Sequence, residues 1–165
     1  MKTKTLVLRI ISIILGVLAY VSMAFPFVVT KTSRYFMNAD TIHSSDNMSL
    51  SKWWEILKYD GDKLWGWKIS RVLMLIVIIV TLLILTTIVL KFFMKNKYID
   101  MAFKYLALAG IILASLFIVF FFIGCVLQFG SSEIISTAVF PHAGSSILGI
   151  SSLVSSILAL KSCKE

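Results

Sequence analysis

The chain has 165 residues and a formal net charge of +8; 59% of its residues are hydrophobic and only 15% are charged. Soluble domains are usually about 45–50% apolar and about 25% charged, so this composition excludes an ordinary soluble domain. The basic residues are divided among short segments beside apolar stretches. That distribution favours attraction to anionic lipid headgroups and speaks against nucleic acid as a partner.

Four stretches of the sequence contain no Asp, Glu, Lys or Arg, and each has at least 19 residues. About 20 helical residues cross a hydrocarbon core about 30 Å thick, and continuous apolar runs lack the alternation of a barrel strand. The sequence therefore predicts an all-α integral membrane protein, a four-transmembrane-helix bundle that forms a single domain over residues 1–165. The predicted helices cover residues 6–29, 70–92, 102–128 and 141–160, and the predicted first loop covers residues 30–69.

The first apolar stretch also has features of a cleavable signal peptide. Lys2 and Lys4 precede it, and the small residues Ser22 and Ala24 fit a peptidase site. We expect this stretch to be retained as the first transmembrane helix, because it is long.

Basic residues mark one side of the predicted bundle. Three short segments, which flank the first helix, the second-to-third connection and the end of the fourth helix, contain nine of them, whereas the connection of residues 128–140 contains none. The positive-inside rule therefore predicts a plasma-membrane protein with both termini in the cytoplasm and an extracellular first loop. The nine residues are Lys2, Lys4, Arg9, Lys91, Lys95, Lys97, Lys104, Lys161 and Lys164.

The first loop is predicted to combine a short β hairpin with an amphipathic helix. Residues 27–37 are rich in β-branched and aromatic residues and follow Pro26, which is typical of a strand. Residues 40–49 are polar and are predicted to form the loop tip. Ser49 or Ser51 is expected to cap the helix that follows.

All four tryptophans lie in residues 51–68 of this loop, and they define the first candidate site. Two of them share the i, i+3, i+4, i+7 spacing of one helix face with two leucines, and the other two precede the second membrane helix. Tryptophan favours both the membrane–water boundary and protein interfaces. The site is therefore predicted either to anchor or pack the loop at the outer membrane interface or to contact a partner. Its residues are Leu50, Trp53, Trp54, Leu57, Trp65 and Trp67.

Small residues at four-residue spacing define a second candidate site. Such residues allow helices to approach closely in lipid. Packing within the bundle is the main expectation, and oligomerisation or docking through the fourth helix is the alternative. The residues are Ser145, Gly149, Ser152 and Ser156 on the fourth helix and Gly110 and Ala114 on the third.

Chemistry-bearing residues are scarce within the membrane. The charge-free stretches contain only His142, near one end, and the sequence has no phosphate-binding, nucleophile or calcium-loop motif. We therefore expect no enzyme activity, no cofactor and no metal. Cys125 and Cys163 are predicted near opposite sides of the bilayer, too far apart for a disulfide.

The layout resembles that of the claudin-like four-helix membrane proteins over the whole chain. That family has cytoplasmic termini, a long first extracellular segment with strands and a short helix, and a short second one. Its first loop carries a W…GLW…C…C signature, where this chain has LWGW at residues 64–67 and no cysteine. The resemblance therefore implies the fold and transfers no functional residue. The FPF sequence at residues 25–27, before an extended polar loop, is also similar to small bacterial four-helix membrane proteins.

Three hypotheses for function follow from these patterns. The first is a non-enzymatic accessory or scaffolding subunit of a membrane assembly, or a homo-oligomer. The second is a small oligomeric channel or transporter lined by serine and threonine hydroxyls. The third is a membrane sensor or immunity component that binds a partner through the tryptophan-rich loop. The expected partners are the lipid bilayer and another membrane protein or a second copy of this chain.

Overall fold

The computed structural model describes residues 3–35, 41–57, 64–94, 96–131 and 135–163. These residues are mostly helical, with a small antiparallel sheet. The helices are α1 (Thr3–Val21), α2 (Leu50–Ile56), α3 (Trp65–Phe93), α4 (Lys97–Leu127) and α5 (Ala143–Lys161). The strands are β1 (Val28–Tyr35), β2 (Thr41–Met48), β3 (Gly130–Ser131) and β4 (Ile135–Pro141).

Four of the helices are long and apolar enough to cross a membrane, which confirms the prediction of four such helices. The spans are Thr3–Ala24, Trp65–Phe93, Lys97–Leu127 and Ala143–Lys161. At 1.5 Å per residue, the 19 residues of the last span just reach across a hydrocarbon core, whereas the 29 and 31 residues of the middle spans exceed it.

The first helix ends earlier than residue 29, the predicted boundary. α1 ends at Val21, a 3₁₀ turn follows at Ser22–Ala24, and Phe25 has the extended backbone angles φ −87° and ψ 159°. Proline disfavours helical angles in the residue before it and removes its own N–H donor. Pro26 therefore ends the helical segment, and the chain enters β1 two residues later.

The sheet has the strand order β2-β1-β4-β3, and all neighbouring strands are antiparallel. β1 pairs with β2 from Val28–Met48 to Tyr35–Thr41, so the predicted hairpin is present. The prediction that residues 40–49 form a polar loop tip is wrong for residues 41–48, which form β2. A continuous ladder of main-chain hydrogen bonds outweighs the low strand propensity of this polar segment. β4 belongs to the connection between α4 and α5, for which the sequence predicts no strand.

The sheet and α2 lie at one end of the bundle, called here the sheet end. Three backbone hydrogen bonds join the elements there: Phe27 N–H donates to Met48 O (2.8 Å), His142 N–H to Phe27 O (3.1 Å) and Gly144 N–H to Pro26 O (2.9 Å). These bonds link the end of β2 and the start of α5 to the segment that enters β1. The sheet is therefore fixed to the helices through its central strand.

The opposite end of the bundle, called here the turn end, holds the short connection between α3 and α4. The Asn96 side chain accepts a hydrogen bond from Tyr98 N–H (2.9 Å) and caps the start of α4. Lys91 Nζ lies 2.6 Å from Asp100 Oδ1 and joins the two helices across the turn.

Two clusters of buried apolar side chains form the core. The larger lies at the sheet end and the smaller towards the turn end. α3 contributes one buried face to both clusters, including Met74, Ile84 and Ile88, while Ile79 and Leu82 on its other face are exposed. One face of α3 is therefore available to lipid. The larger cluster includes Phe27, Val28, Trp53, Trp67, Phe117, Phe121 and Val139, and the smaller one Val80, Ile84, Ile88, Phe103, Ala107 and Ala159.

Candidate interaction surface at the sheet end

An aromatic cluster joins α2 to the membrane helices. Trp53 and Phe27 have no exposed surface, and their ring centroids are 5.3 Å apart. The Trp53 ring is also 5.6 Å from Phe121 and 6.4 Å from Trp67. Aromatic rings at these separations bury large apolar areas with favourable ring–ring geometry. The cluster therefore holds α2, the entry to β1, α3 and α4 together.

The structure separates the residues of the tryptophan site into buried and exposed groups. Trp53, Leu57 and Trp67 are buried, whereas Trp65 is 44% exposed and packs edge-on against Phe120 at 6.3 Å. Leu50 and Trp54 are half-buried at the rim of the cluster. The contact of these six residues with membrane or partner stays a prediction. Leu50, Trp54 and Trp65 are the ones that reach the surface.

The start of α2 follows the expected local chemistry. Ser49 is the N-cap residue, with extended backbone angles, and its Oγ accepts a hydrogen bond from Lys52 N–H at 3.4 Å. Four residues into the helix, the Trp54 ring lies 4.1 Å from the Arg71 guanidinium of α3, a cation–π contact. Trp54, Leu50 and Met23 also line an open groove of about 580 Å³, with Glu55 at its rim.

Two glycines allow α3 and α4 to approach closely beside this cluster. A methyl group built on Gly124 would overlap the Trp67 ring, and one built on Gly66 would lie 2.9 Å from Gly124 Cα. Glycine is therefore needed at both positions for the observed crossing. Neither residue is among the candidate site residues. The available signal was a glycine within each apolar span, next to Trp65 and Cys125.

A second groove, called here the sheet groove, opens on the sheet and has a volume of about 530 Å³. Phe129 and Phe140 form its aromatic part, 42% and 41% exposed, with ring centroids 5.6 Å apart in edge-on geometry. Lys31 Nζ lies 5.9 Å from the Phe140 ring. Ser136 and Thr137 supply hydroxyls to the lining. The sequence does not predict this groove, because it depends on the pairing of β4 with β1.

The predicted helix-packing residues are all buried inside the bundle. Ser145 Oγ donates to Phe27 O at 2.7 Å, and Ser156 Oγ donates to Ser152 O at 2.8 Å. A methyl group on Gly110 would overlap Ser156 Oγ, and one on Gly149 would lie 2.7 Å from the Ile118 side chain. Ala114 is fully buried in the same region. These contacts join α5 to α4 and to the entry of β1 within one chain.

A pair of serines joins α1 to α5 through reciprocal hydrogen bonds. Ser12 Oγ donates to Ser155 O at 2.9 Å, Ser155 Oγ donates to Ser12 O at 2.8 Å, and the two hydroxyl oxygens are 3.0 Å apart. Hydrogen bonds between membrane helices contribute about 0.6 kcal/mol on average and up to about 1.7 kcal/mol. The serine pair is therefore a moderate, specific contact between the first and last helices.

Replacing Ser12 or Ser155 with alanine is expected to lower the free energy of unfolding by about 1 kcal/mol in each case. The double variant should lose less than the sum, because the two hydroxyls also contact each other. Unfolding in mixed detergent micelles, followed by circular dichroism, measures these values. Ser115→Ala is the matched control and should change stability by less than about 0.5 kcal/mol, since its hydroxyl bonds only Ile111 O of its own helix. Strict additivity of the two single changes would contradict the direct contact.

Within the part of the chain that the structure describes, no group of three or more His, Cys, Asp or Glu side chains is placed to hold a metal ion. Cys125 and Cys163 are both free, which confirms the prediction that they do not pair. No protein-family model and no curated protein matches the chain. The claudin-like resemblance therefore rests on the layout of the helices and of the first loop.

Proposed function

We propose that the chain is a non-enzymatic integral membrane protein of claudin-like layout that acts as an accessory or scaffolding subunit for another membrane protein. The observation that carries the proposal is the sheet groove, which presents an exposed aromatic pair beside a lysine. Exposed aromatic side chains near a polar rim are typical of protein interfaces. The small-residue faces of the helices, by contrast, are occupied by contacts within the chain.

The position of the sheet groove favours a partner that is itself anchored in the membrane. Phe129 lies two residues after the end of α4, and Phe140 lies three residues before the start of α5. The aromatic part of the groove is therefore close to the ends of two apolar spans. A membrane protein whose extracellular segment lies beside its own helix can contact this groove and the helices at the same time.

The orientation in this proposal has both termini in the cytoplasm and the sheet groove outside the cell. Support comes from the basic residues at the turn end, which accompany the acid Asp100. Positive charge in short segments next to membrane spans favours the cytoplasmic side, and a plasma membrane is the proposed location. The basic residues described there are Lys4, Arg9, Lys91, Lys97, Lys104 and Lys161.

Native mass spectrometry of the tagged protein, extracted from its own membrane in mild detergent, tests the subunit role. The expected result is a stoichiometric membrane-protein partner. Phe129→Ala combined with Phe140→Ala should lower the recovered partner at least about tenfold, because aromatic interface residues carry much of the binding free energy. Phe122→Ala is the matched control: Phe122 is 58% exposed on α4, away from the groove lining, and its loss should leave recovery unchanged.

Other outcomes of the same measurement would count against the subunit role. A homo-oligomer without a foreign chain would favour a self-assembled scaffold or pore, which ion flux into liposomes would then separate. Equal loss of partner in the Phe122→Ala control would mean that the helices, and not the sheet groove, form the contact. Catalytic turnover by the purified chain would contradict the non-enzymatic assignment.

Thiol labelling from the two sides of the membrane tests the orientation. Burial raises the pKa of the Cys163 thiol, against the opposing effect of the Lys91 charge. Because the thiolate is the reactive form, we expect slow maleimide labelling at neutral pH that rises by about tenfold per pH unit up to at least about pH 9. An impermeant maleimide should label Cys163 in inside-out vesicles and not in right-side-out vesicles.

An engineered thiol at the sheet end provides the matched control for this labelling. Lys52 is exposed on α2, so Lys52→Cys combined with Cys163→Ser should be labelled only in right-side-out vesicles. The reverse pattern for both thiols would overturn the orientation. Labelling of both from one side would contradict the placement of the two ends on opposite faces of the membrane.

A further inference from the structure

Three cations from three different helices converge at the turn end. The charges of Arg9 on α1, Lys91 on α3 and Lys104 on α4 all act on the Cys163 sulfur, which lies just after α5. These three cations are called here the turn-end cation cluster. Asp100 acts on the same sulfur and is the partner of Lys91. The end of α5 thus brings together charges that are distant in sequence.

Two members of the cluster are largely buried. Arg9 is 7% exposed, and the Lys91 side chain is 9% exposed. Lys91 Nζ is held between the Asp100 carboxylate at 2.6 Å and the Phe103 ring at 4.6 Å. Burying a cation is costly unless an anion or hydrogen-bond acceptor accompanies it. Around the Cys163 sulfur, the acting charges are three cations and one carboxylate, a net charge of +2.

The cluster also lies at a defined depth. Arg9 immediately precedes the charge-free stretch of residues 10–30, Lys91 immediately follows residues 72–90, and Lys104 immediately precedes residues 105–132. The boundary between hydrocarbon and polar headgroups is where such stretches end. All three cations therefore lie at the level of the phosphate groups of the adjoining leaflet.

We propose that the turn-end cation cluster binds a phosphate ester, namely the headgroup phosphate of an anionic phospholipid in the adjoining leaflet. Arginine and lysine donate charge-assisted hydrogen bonds to phosphate oxygens, and a guanidinium can do so through two parallel N–H groups. The Phe103 ring and Asp100 hold Lys91 in place, so the cluster is ordered before the phosphate arrives. This site differs from a diffuse basic surface because it depends on particular cations.

The experiment compares retained lipids in two lysine variants that remove the same charge. The protein is reconstituted in vesicles of equal phosphatidylcholine and phosphatidylglycerol, extracted in mild detergent and measured by native mass spectrometry. Lys104→Gln is expected to lower retained phosphatidylglycerol about tenfold, as for loss of a hydrogen bond to a charged group. Lys97→Gln, at an exposed residue seven positions earlier, should lower it by less than about twofold.

Arg9→Gln should lower retained phosphatidylglycerol at least as strongly as Lys104→Gln. Because Arg9 is buried, its variant is also checked for an unchanged circular dichroism spectrum; Lys104 is exposed, so its variant carries the test if Arg9→Gln does not fold. Equal losses in Lys97→Gln and Lys104→Gln would overturn the site in favour of a diffuse basic belt. Equal retention of phosphatidylcholine and phosphatidylglycerol by the unmodified protein would also overturn it.

A second arm separates a lipid headgroup from a soluble phosphate. The melting temperature of the detergent-solubilised, delipidated protein is measured with inorganic phosphate or with chloride at equal ionic strength, and again with added phosphatidylglycerol. We expect phosphatidylglycerol to raise the melting temperature, and Lys104→Gln to remove that increase. An equal increase with inorganic phosphate, lost in the same variant, would overturn the assignment to lipid and identify a soluble phosphate ester as the ligand.

Discussion

Replacing Trp53 with alanine is expected to lower the free energy of unfolding by about 3–5 kcal/mol, the range for removal of a fully buried large aromatic side chain. Trp53 has no exposed surface and contacts Phe27, Phe121 and Trp67. Its loss leaves a cavity at the only side chain of α2 that is fully buried within the helix bounds. Unfolding in mixed detergent micelles, followed by circular dichroism, measures the change.

Two further variants separate packing from general loss of a tryptophan. Trp65→Ala removes the same side chain at a site that is 44% exposed, and should cost less than about 1 kcal/mol. Trp53→Phe keeps a ring in the cluster and removes an indole N–H that is buried without a hydrogen-bond partner, so it should cost much less than Trp53→Ala. Equal losses for Trp53→Ala and Trp65→Ala would contradict the anchoring role of the cluster.

The loss of Trp53 should also affect the proposed partner contact. The cluster joins α2 to Phe27, which directly precedes β1, and β1 is the strand that carries Lys31 of the sheet groove. A variant with a displaced β1 should therefore retain less partner even though Trp53 itself is buried. For this reason the Phe129→Ala and Phe140→Ala changes, at exposed side chains, are the direct test of the groove.

The membrane spans were predictable because they depend on local composition. A charge-free stretch of about 20 residues has few alternatives in lipid, whatever its neighbours are. The spacing of Leu50, Trp53, Trp54 and Leu57 also predicts the short helix, and Ser49 predicts its cap. These features depend on residues close together in the sequence.

The sheet and the buried surface of α2 could not be predicted in the same way. The sequence of residues 41–48 is polar, and its strand structure depends on pairing with β1. β4 is brought to β1 by the packing of α4 and α5, across more than 100 residues of chain. Helical spacing likewise identifies one face of α2 but not what that face contacts, which is Phe27, Phe121 and Trp67 from three other segments.

The small-residue pattern indicates close helix packing but does not identify the neighbours. Gly110 and Gly149 contact side chains of the same chain, on α5 and α4 respectively. The closest approach at the sheet end is made instead by Gly66 and Gly124, which do not belong to the predicted set. Close approach is a property of two surfaces, and a single-helix pattern describes only one of them.

Replacing Gly124 with alanine is the second change with a large expected effect, a loss of about 3 kcal/mol in the free energy of unfolding. The added methyl group would overlap the Trp67 ring, and Trp67 is enclosed by Trp53 and by the backbone near Gly66. The ring cannot move without opening the aromatic cluster, which places the cost at the upper end of the usual range of about 1–3 kcal/mol for overpacking. The same unfolding measurement applies, with Trp67 fluorescence as a local readout in a variant where the other tryptophans are phenylalanine.

Gly130→Ala is the matched control, because a methyl group on Gly130 would have no neighbouring atom within 4 Å. It should change stability by less than about 0.5 kcal/mol and leave the fluorescence of Trp67 unchanged. The pair of variants adds the same atoms at two glycines of the same chain, so a difference between them reports the α3–α4 contact. A small effect of Gly124→Ala, equal to that of Gly130→Ala, would mean that α3 and α4 are further apart at the sheet end than the structure shows. Trp67 would then not link the membrane helices to α2.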